Sequence, residues 1–142
     1  MSALRGIEAL EVGQVVAEVE YSISRDSLVR YAGASGDFNP IHYRDDIALS
    51  VGLPGVLAHG MLTMGVAVQS VVDWLGDRGQ VVDCGVRFTR PVVVDAADGA
   101  SLNVAAKVGQ VDAAAGEARI DLTVTAHGST VLGKAQVRVR LA

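Results

Sequence analysis

Asp37 and His42 lie five positions apart, on either side of Asn39-Pro40. On a helix that spacing would put the two side chains on different faces. Pro40, however, pushes Asn39 out of the α region, so the chain must turn or extend there, and the carboxylate and imidazole can converge. Held in one pocket they make an acid–base pair, because burial can tune two groups of different proton affinity. The plainer alternative is that Asp37 caps a turn and His42 makes a structural hydrogen bond. A second group is Ala58-His59-Gly60-Met61, directly before a long apolar stretch. If Gly60 opens a helix, its N–H is one of the donors that helix geometry leaves free, at the positive end of the dipole. With no Cβ in the way, a ligand oxygen can approach it closely, which is how a backbone polarises a carbonyl without a metal. Taken alone, such a glycine equally well admits a sharp loop-to-helix turn.

The other reactive residue types offer less. His127 sits in a Gly-Ser turn and reads as solvated. His59 lacks the spaced Cys/His partners of a zinc site. Cys84, the single cysteine, excludes an internal disulfide or a multi-cysteine metal site; among valines it reads as a small buried hydrophobe. Gly33, Gly36, Gly52, Gly55 and Gly60 form no phosphate-binding motif.

Positioning these groups falls to a chain whose hydrophobic period changes partway. Val15–Ser22 alternates as a strand. Ser24 can cap a short helix that turns Leu28, Tyr31 and Ala32 to one side and ends at Gly33 or Gly36. Residues 36–42 are loop-like, and Asp45–Val51 is a further short helix stopped by Gly52 and Pro54. From Gly60 to Leu75 apolar residues surround nearly the whole helical circumference, the pattern of a buried helix, which Gly76 terminates. Beyond it the period becomes two, predicting strands at Gln80–Thr89, Pro91–Asp95, Leu102–Val111, Glu117–Ala126 and Val131–Leu141. Ile120, Leu122, Val124 and Ala126 alternate with Arg119, Asp121, Thr123 and Thr125, an antiparallel pattern with one face buried and one wet. The connections at Asp112–Gly116 and His127–Ser129 are hairpin-sized. The simplest packing is α+β, an antiparallel sheet wrapped around the one long helix, which covers its apolar face.

The 142 residues are read as one domain spanning 1–142. Half of them are hydrophobic, which excludes intrinsic disorder. Twelve Lys and Arg against 16 Asp and Glu give a net charge of −4, without the basic footprint of a nucleic-acid binder. The longest apolar run is broken by Gln69 and Asp73 and falls short of the roughly 20 residues of a membrane span. Residues 1–14 carry acidic side chains and lack the continuous apolar stretch of a secretory signal. The expectation is a cytoplasmic protein with no nucleic-acid or membrane partner.

The run Tyr31-Ala32-Gly33-Ala34-Ser35-Gly36-Asp37-Phe38-Asn39-Pro40-Ile41-His42, followed by Ala58-His59-Gly60-Met61, resembles the MaoC-like hydratase/dehydratase family. That family's signature is Asp-x-Asn-Pro-x-His with a downstream His-Gly-Met that opens the central helix. The resemblance extends over essentially the whole chain, including Val86-Arg87-Phe88-Thr89-Arg90-Pro91-Val92. The wording Ala-His-Gly-Met-Leu-Thr-Met is nearest to the catalytic B-type subunits of the actinobacterial (3R)-hydroxyacyl-ACP dehydratases.

The resemblance implies a single hot-dog domain, in agreement with the period-based reading. It also implies reversible dehydration of (3R)-3-hydroxyacyl thioesters, carried on CoA or the phosphopantetheine of an acyl carrier protein, to trans-2-enoyl thioesters. Asp37 and His42 would be the catalytic pair, Gly60 the oxyanion donor, and Asn39 an orienting residue. His42 is favoured as base and Asp37 as the group at the hydroxyl, the reverse division being open. His59 would be structural, with no metal or redox cofactor required. Arg87 and Arg90 are candidates to contact the pantetheine or carrier, against a reading as solvated strand arginines. Family members pair with a second hot-dog subunit, so a homodimer or heterodimer is expected. The alternatives are a hot-dog thioesterase, which would need a carboxylate on or near the central helix where Asp73 lies at the far end from Gly60, and an acyl-binding subunit supporting a catalytic partner.

Overall fold

A computed structural model describes residues 6–142; the first five residues of the N-terminal stretch read above lie outside the described residues. The elements in chain order are β1 (Val15–Ile23), α1 (Arg25–Ser35), α2 (Asp45–Ser50), α3 (Gly60–Leu75), β2 (Gly79–Phe88), β3 (Ala100–Asp112), β4 (Glu117–Ala126) and β5 (Ser129–Leu141). All five strands form one sheet in the order β1-β3-β4-β5-β2, with every pairing antiparallel. This is the arrangement the resemblance implied. The alternation in β4 is the predicted one: Ala118, Ile120, Leu122, Val124 and Ala126 are buried, and Ile120 stands opposite Val108 on β3 and Val137 on β5.

Helix α1 starts where its chemistry says it should. The Ser24 hydroxyl accepts from the Ser27 N–H, and the Ser27 hydroxyl accepts from the Ser24 N–H, satisfying two donors at the helix start. The helix runs through Gly33 and ends at Gly36, whose φ of 76° is the left-handed conformation that glycine adopts at low cost. Helix α3 packs against one face of the sheet, burying Thr63, Ala67, Ser70, Val71 and Leu75. Its two buried hydroxyls are satisfied one turn back: Thr63 Oγ1 donates to the His59 carbonyl and Ser70 Oγ to that of Ala67.

Three expectations need correction. Pro91–Asp95 is not a strand. It makes only isolated bridges, Val93 to Leu57 and Asp95 to Gly99, and Pro91 has no N–H to give a ladder. Helix α3 is not buried all round either: Met61 is 58% and Val72 43% exposed on the side turned away from the sheet. His127, at the tip of the β4–β5 hairpin, is exposed but not merely solvated, since Nε2 donates to the Val93 carbonyl at 2.9 Å. Cys84 is partly buried against the core. Among the described residues no helix is long and apolar enough to cross a membrane.

Candidate active site

The loop between α1 and α2 is locked by its own short polar side chains. Asp37 Oδ1 accepts from the Asn39 N–H at 3.2 Å, and Asn39 Oδ1 accepts from that of Ile41, also at 3.2 Å. Asn39 thereby caps the single 3-10 turn Pro40–His42, with Pro40 in its first position. A second clamp comes from the segment before α3. The Leu57 N–H donates to the Ile41 carbonyl and the Ala58 N–H to that of Val92, pinning the loop to the stretch that follows β2. His42 is carried inward by this turn and is 9% exposed.

Hydrogen bonds assign the protons. His42 Nδ1 lies 2.7 Å from the Leu57 carbonyl oxygen. A carbonyl only accepts, so Nδ1 carries a hydrogen, and in the neutral ring Nε2 presents a lone pair. That lone pair faces Asp37 Oδ2 at 4.0 Å, too far for a direct hydrogen bond and close enough for both groups to reach one ligand. The Asp37 side chain is half exposed. His59 Nε2 lies 3.2 Å from the Asp37 backbone carbonyl and therefore donates to it. The rings of His42 and His59 stack with centroids 3.8 Å apart, and Tyr31 from α1 meets His59 edge-on at 4.6 Å. Burial is the main reason that the His59 pKa is lowered, with His42 adding to the effect and the Asp37 carbonyl opposing it.

Gly60 is the first residue of α3, and nothing among the described residues accepts from its N–H. His42 and Gly60 line one cavity of about 300 Å³, together with Thr63, Phe88, Arg90 and Val131. Asp37 is not among the lining residues, its Oδ2 lying 4.0 Å from His42 Nε2. A Cβ on Gly60 would come within 3.0 Å of the Phe88 ring, so the absence of a side chain there is what leaves the helix start open. Of the two arginines, only Arg90 reaches the cavity, where it also donates to the Thr130 carbonyl; Arg87, exposed on β2, stands outside the lining. Sequence reasoning missed Thr63 and Phe88 as cavity residues. Thr63 follows Gly60 at the one-turn spacing that shares a helix face, and Phe88 is the one aromatic residue in an otherwise aliphatic and polar strand.

Asp37, His42 and His59 each offer one ligand atom, all within 4.8 Å of one another. The ring planes differ by only 23°. The in-plane lone pairs of two stacked rings run side by side and cannot both address one ion at about 2.0–2.1 Å. The trio fits an acid–base pair with a supporting ring better than a metal centre. On the far side of α3, Asp73 accepts from Gln69 Nε2 at 2.7 Å. It lies 13 residues from Gly60, about 20 Å along the helix axis.

Comparison with known proteins places the chain in a family. Residues 9–133 match a family model described as a MaoC-like domain. Over 70 residues the chain is 39% identical to 3-hydroxyacyl-thioester dehydratase X of Mycobacterium tuberculosis, a stretch covering 49% of this chain and 24% of that protein. The match thus spans about a quarter of the length of that curated relative. A MaoC-like dehydratase of known structure superposes with a TM-score of 0.90 at 35% identity, over 96% of this chain and 42% of the other. The unliganded R-hydratase PhaJ1 of Pseudomonas aeruginosa superposes with a TM-score of 0.81 at 28% identity, over 96% of this chain and 84% of the other.

Proposed function

The chain belongs to the MaoC-like domain family, and on that premise we propose that it catalyses the reversible dehydration of (3R)-3-hydroxyacyl thioesters to trans-2-enoyl thioesters. The observation that carries this reading is the Nε2 of His42, 4.0 Å from Asp37, with its ring in one cavity with the free N–H at the start of α3. A thioester makes its C2 proton only weakly acidic, and C3 must lose its hydroxyl. In this reading His42 Nε2 accepts the C2 proton. The developing charge on the thioester oxygen is met by the Gly60 N–H, one such donor being worth about 3–4 kcal/mol. The C3 hydroxyl takes up a proton at the Asp37–His42 pair and departs as water; hydration retraces these steps. Asn39 orients the loop and transfers no proton. Only acid–base groups and a backbone donor take part, and neither metal nor redox cofactor enters the scheme.

The substrate is carried on CoA or on the phosphopantetheine of an acyl carrier protein, with Arg90 placed to meet an anionic group at the cavity mouth. The domain spans the whole chain and acts in the cytoplasm with a second hot-dog unit, as a homodimer or a heterodimer. The exposed face of α3 supports a partner. So does the solved MaoC-like dehydratase, in which the superposed region is 42% of the chain, leaving room for another unit of similar size. The thioesterase alternative needs a carboxylate on or near the central helix, and Asp73 is far from the cavity.

The test is loss of enoyl absorbance with a 2-enoyl-CoA, alongside free thiol release, for the chain alone and with candidate partner subunits. His42→Ala and Asp37→Asn are each expected to lower hydration about 100- to 10,000-fold with an unchanged circular dichroism spectrum. A correctly assembled His42→Ala variant that kept most of its rate would overturn the reading. Thiol release without enoyl hydration would favour the thioesterase.

A further inference from the structure

His59 is 1% exposed, at the point where the loop enters α3. An aliphatic side chain would fill that volume with no polar atom to satisfy. The imidazole instead has one bonded nitrogen, Nε2, and one buried nitrogen, Nδ1, with no partner among the described residues. Buried polar atoms without partners are uncommon and destabilising, so packing alone does not account for a histidine here.

Its contacts do account for it. One face stacks on the His42 ring, the Nε2 hydrogen goes to the Asp37 carbonyl, and Tyr31 braces the ring from α1. One side chain thus touches the ring of one member of the catalytic pair and the backbone of the other. We propose that His59 is a positioning residue, a neutral ring that fixes the plane of His42 and the backbone of Asp37 so that both reach the same substrate. This rests on the acid–base reading of the site. Neutrality matters because a positive charge stacked on His42 would oppose proton uptake there. The titratable groups that face His59 are Asp37 and His42 from the loop and Tyr31 from α1.

Two variants separate the contacts. His59→Phe keeps the stacked ring and removes both nitrogens; His59→Gln keeps an N–H donor and removes the ring. In the assembled protein with a 2-enoyl-CoA, His59→Phe is expected to lower kcat about 10- to 100-fold, the scale of a misplaced catalytic group. KM should be unchanged, and the melting temperature equal or higher because an unpartnered nitrogen is gone. His59→Gln should recover part of that kcat while melting lower. Wild-type kcat in His59→Phe, or losses in both variants that merely track the folded fraction, would overturn the proposal.

A second measurement needs no activity. Nitrogen-15 NMR of the histidine rings should show His42 in the Nδ1–H tautomer and His59 in the Nε2–H tautomer, with the His42 resonances displaced in His59→Phe. If the wild-type protein has no hydratase activity, the acid–base reading fails on its own. Unmoved His42 resonances would then refute the positioning role separately.

Discussion

Gly60→Ala tests whether the helix start is a catalytic donor or only a turn. Glycine is not required at position 60 by a left-handed backbone, since its φ lies outside that region. The added Cβ would sit 3.0 and 3.1 Å from Cε1 and Cδ1 of Phe88, so the ring must yield by a few tenths of an ångström. Phe88 is 55% exposed and can swing outward, and alanine is the better helix former. The stability change should therefore stay within about 1 kcal/mol, or about 4 °C in melting temperature for a chain of this size. Catalysis should suffer far more. The methyl group projects toward Phe88 in the cavity that Gly60 and His42 share, and it holds the thioester oxygen away from the N–H. A donor of this kind is worth about 3–4 kcal/mol, or 100- to 1000-fold in kcat; partial obstruction should cost about 100-fold. The assay is 2-enoyl-CoA hydration with a thermal melt in parallel. The Gly60→Ala, Phe88→Ala double variant removes the clash and leaves the methyl in place, so it should stay slow. Wild-type kcat in Gly60→Ala would refute the donor assignment. Recovery in the double variant would show that ring displacement, not occlusion of the N–H, caused the loss.

The lowered His59 pKa gives a pH dependence of stability with a definite sign. Below the ordinary histidine value of about 6.5 the unfolded chain binds a proton that the folded chain resists. Stability should fall as pH drops through that window, at no more than about 1.4 kcal/mol per pH unit from this residue, and urea melts of His59→Phe should lack that contribution. Arg25→Ala removes a guanidinium that donates to the Val94 carbonyl and to both Asp45 oxygens, joining α1 to α2 and to the stretch after β2. Its loss should cost about 1–3 kcal/mol in urea denaturation, and a change under 0.5 kcal/mol would contradict the structure. Val72→Glu puts a charge on the open face of α3, where the single chain should tolerate it within about 0.5 kcal/mol. Sedimentation should nevertheless show loss of the larger assembly if that face is covered by the partner.

The residues that were legible in the sequence are those whose signal is local. Ser24 was readable as a cap because capping depends on the next three residues, and β4 was readable because alternation shows directly which side is buried. The Gly60 start of α3 was visible as a change of period beside a glycine. What the sequence hid depends on distant partners. Val92, Val93 and Val94 look like a strand, yet their neighbours are Val56, Leu57 and Ala58 rather than a ladder. Asp37 and His42 could be paired from the proline turn between them. The 4.0 Å gap and the tautomer of His42 depend on the Leu57 carbonyl, 15 residues away, whose location no spacing reveals. His59 looked structural because its partners are a ring 17 residues earlier and a backbone oxygen 22 residues earlier.

The exposed side of α3 bears on the chemistry as well as on assembly. A helix apolar around its whole circumference is normally buried on all sides, and here the sheet covers only one. Met61 lies one residue beyond the proposed oxyanion donor, on the exposed side of the helix. A partner there would exclude water from the helix start, where a backbone dipole acts more strongly at low dielectric. In the proposed mechanism the single chain supplies the pair, the donor and the braces that hold them. If a partner covers that face, it would supply the low-dielectric surroundings that give those groups their full effect, and assembly and catalytic rate should rise together.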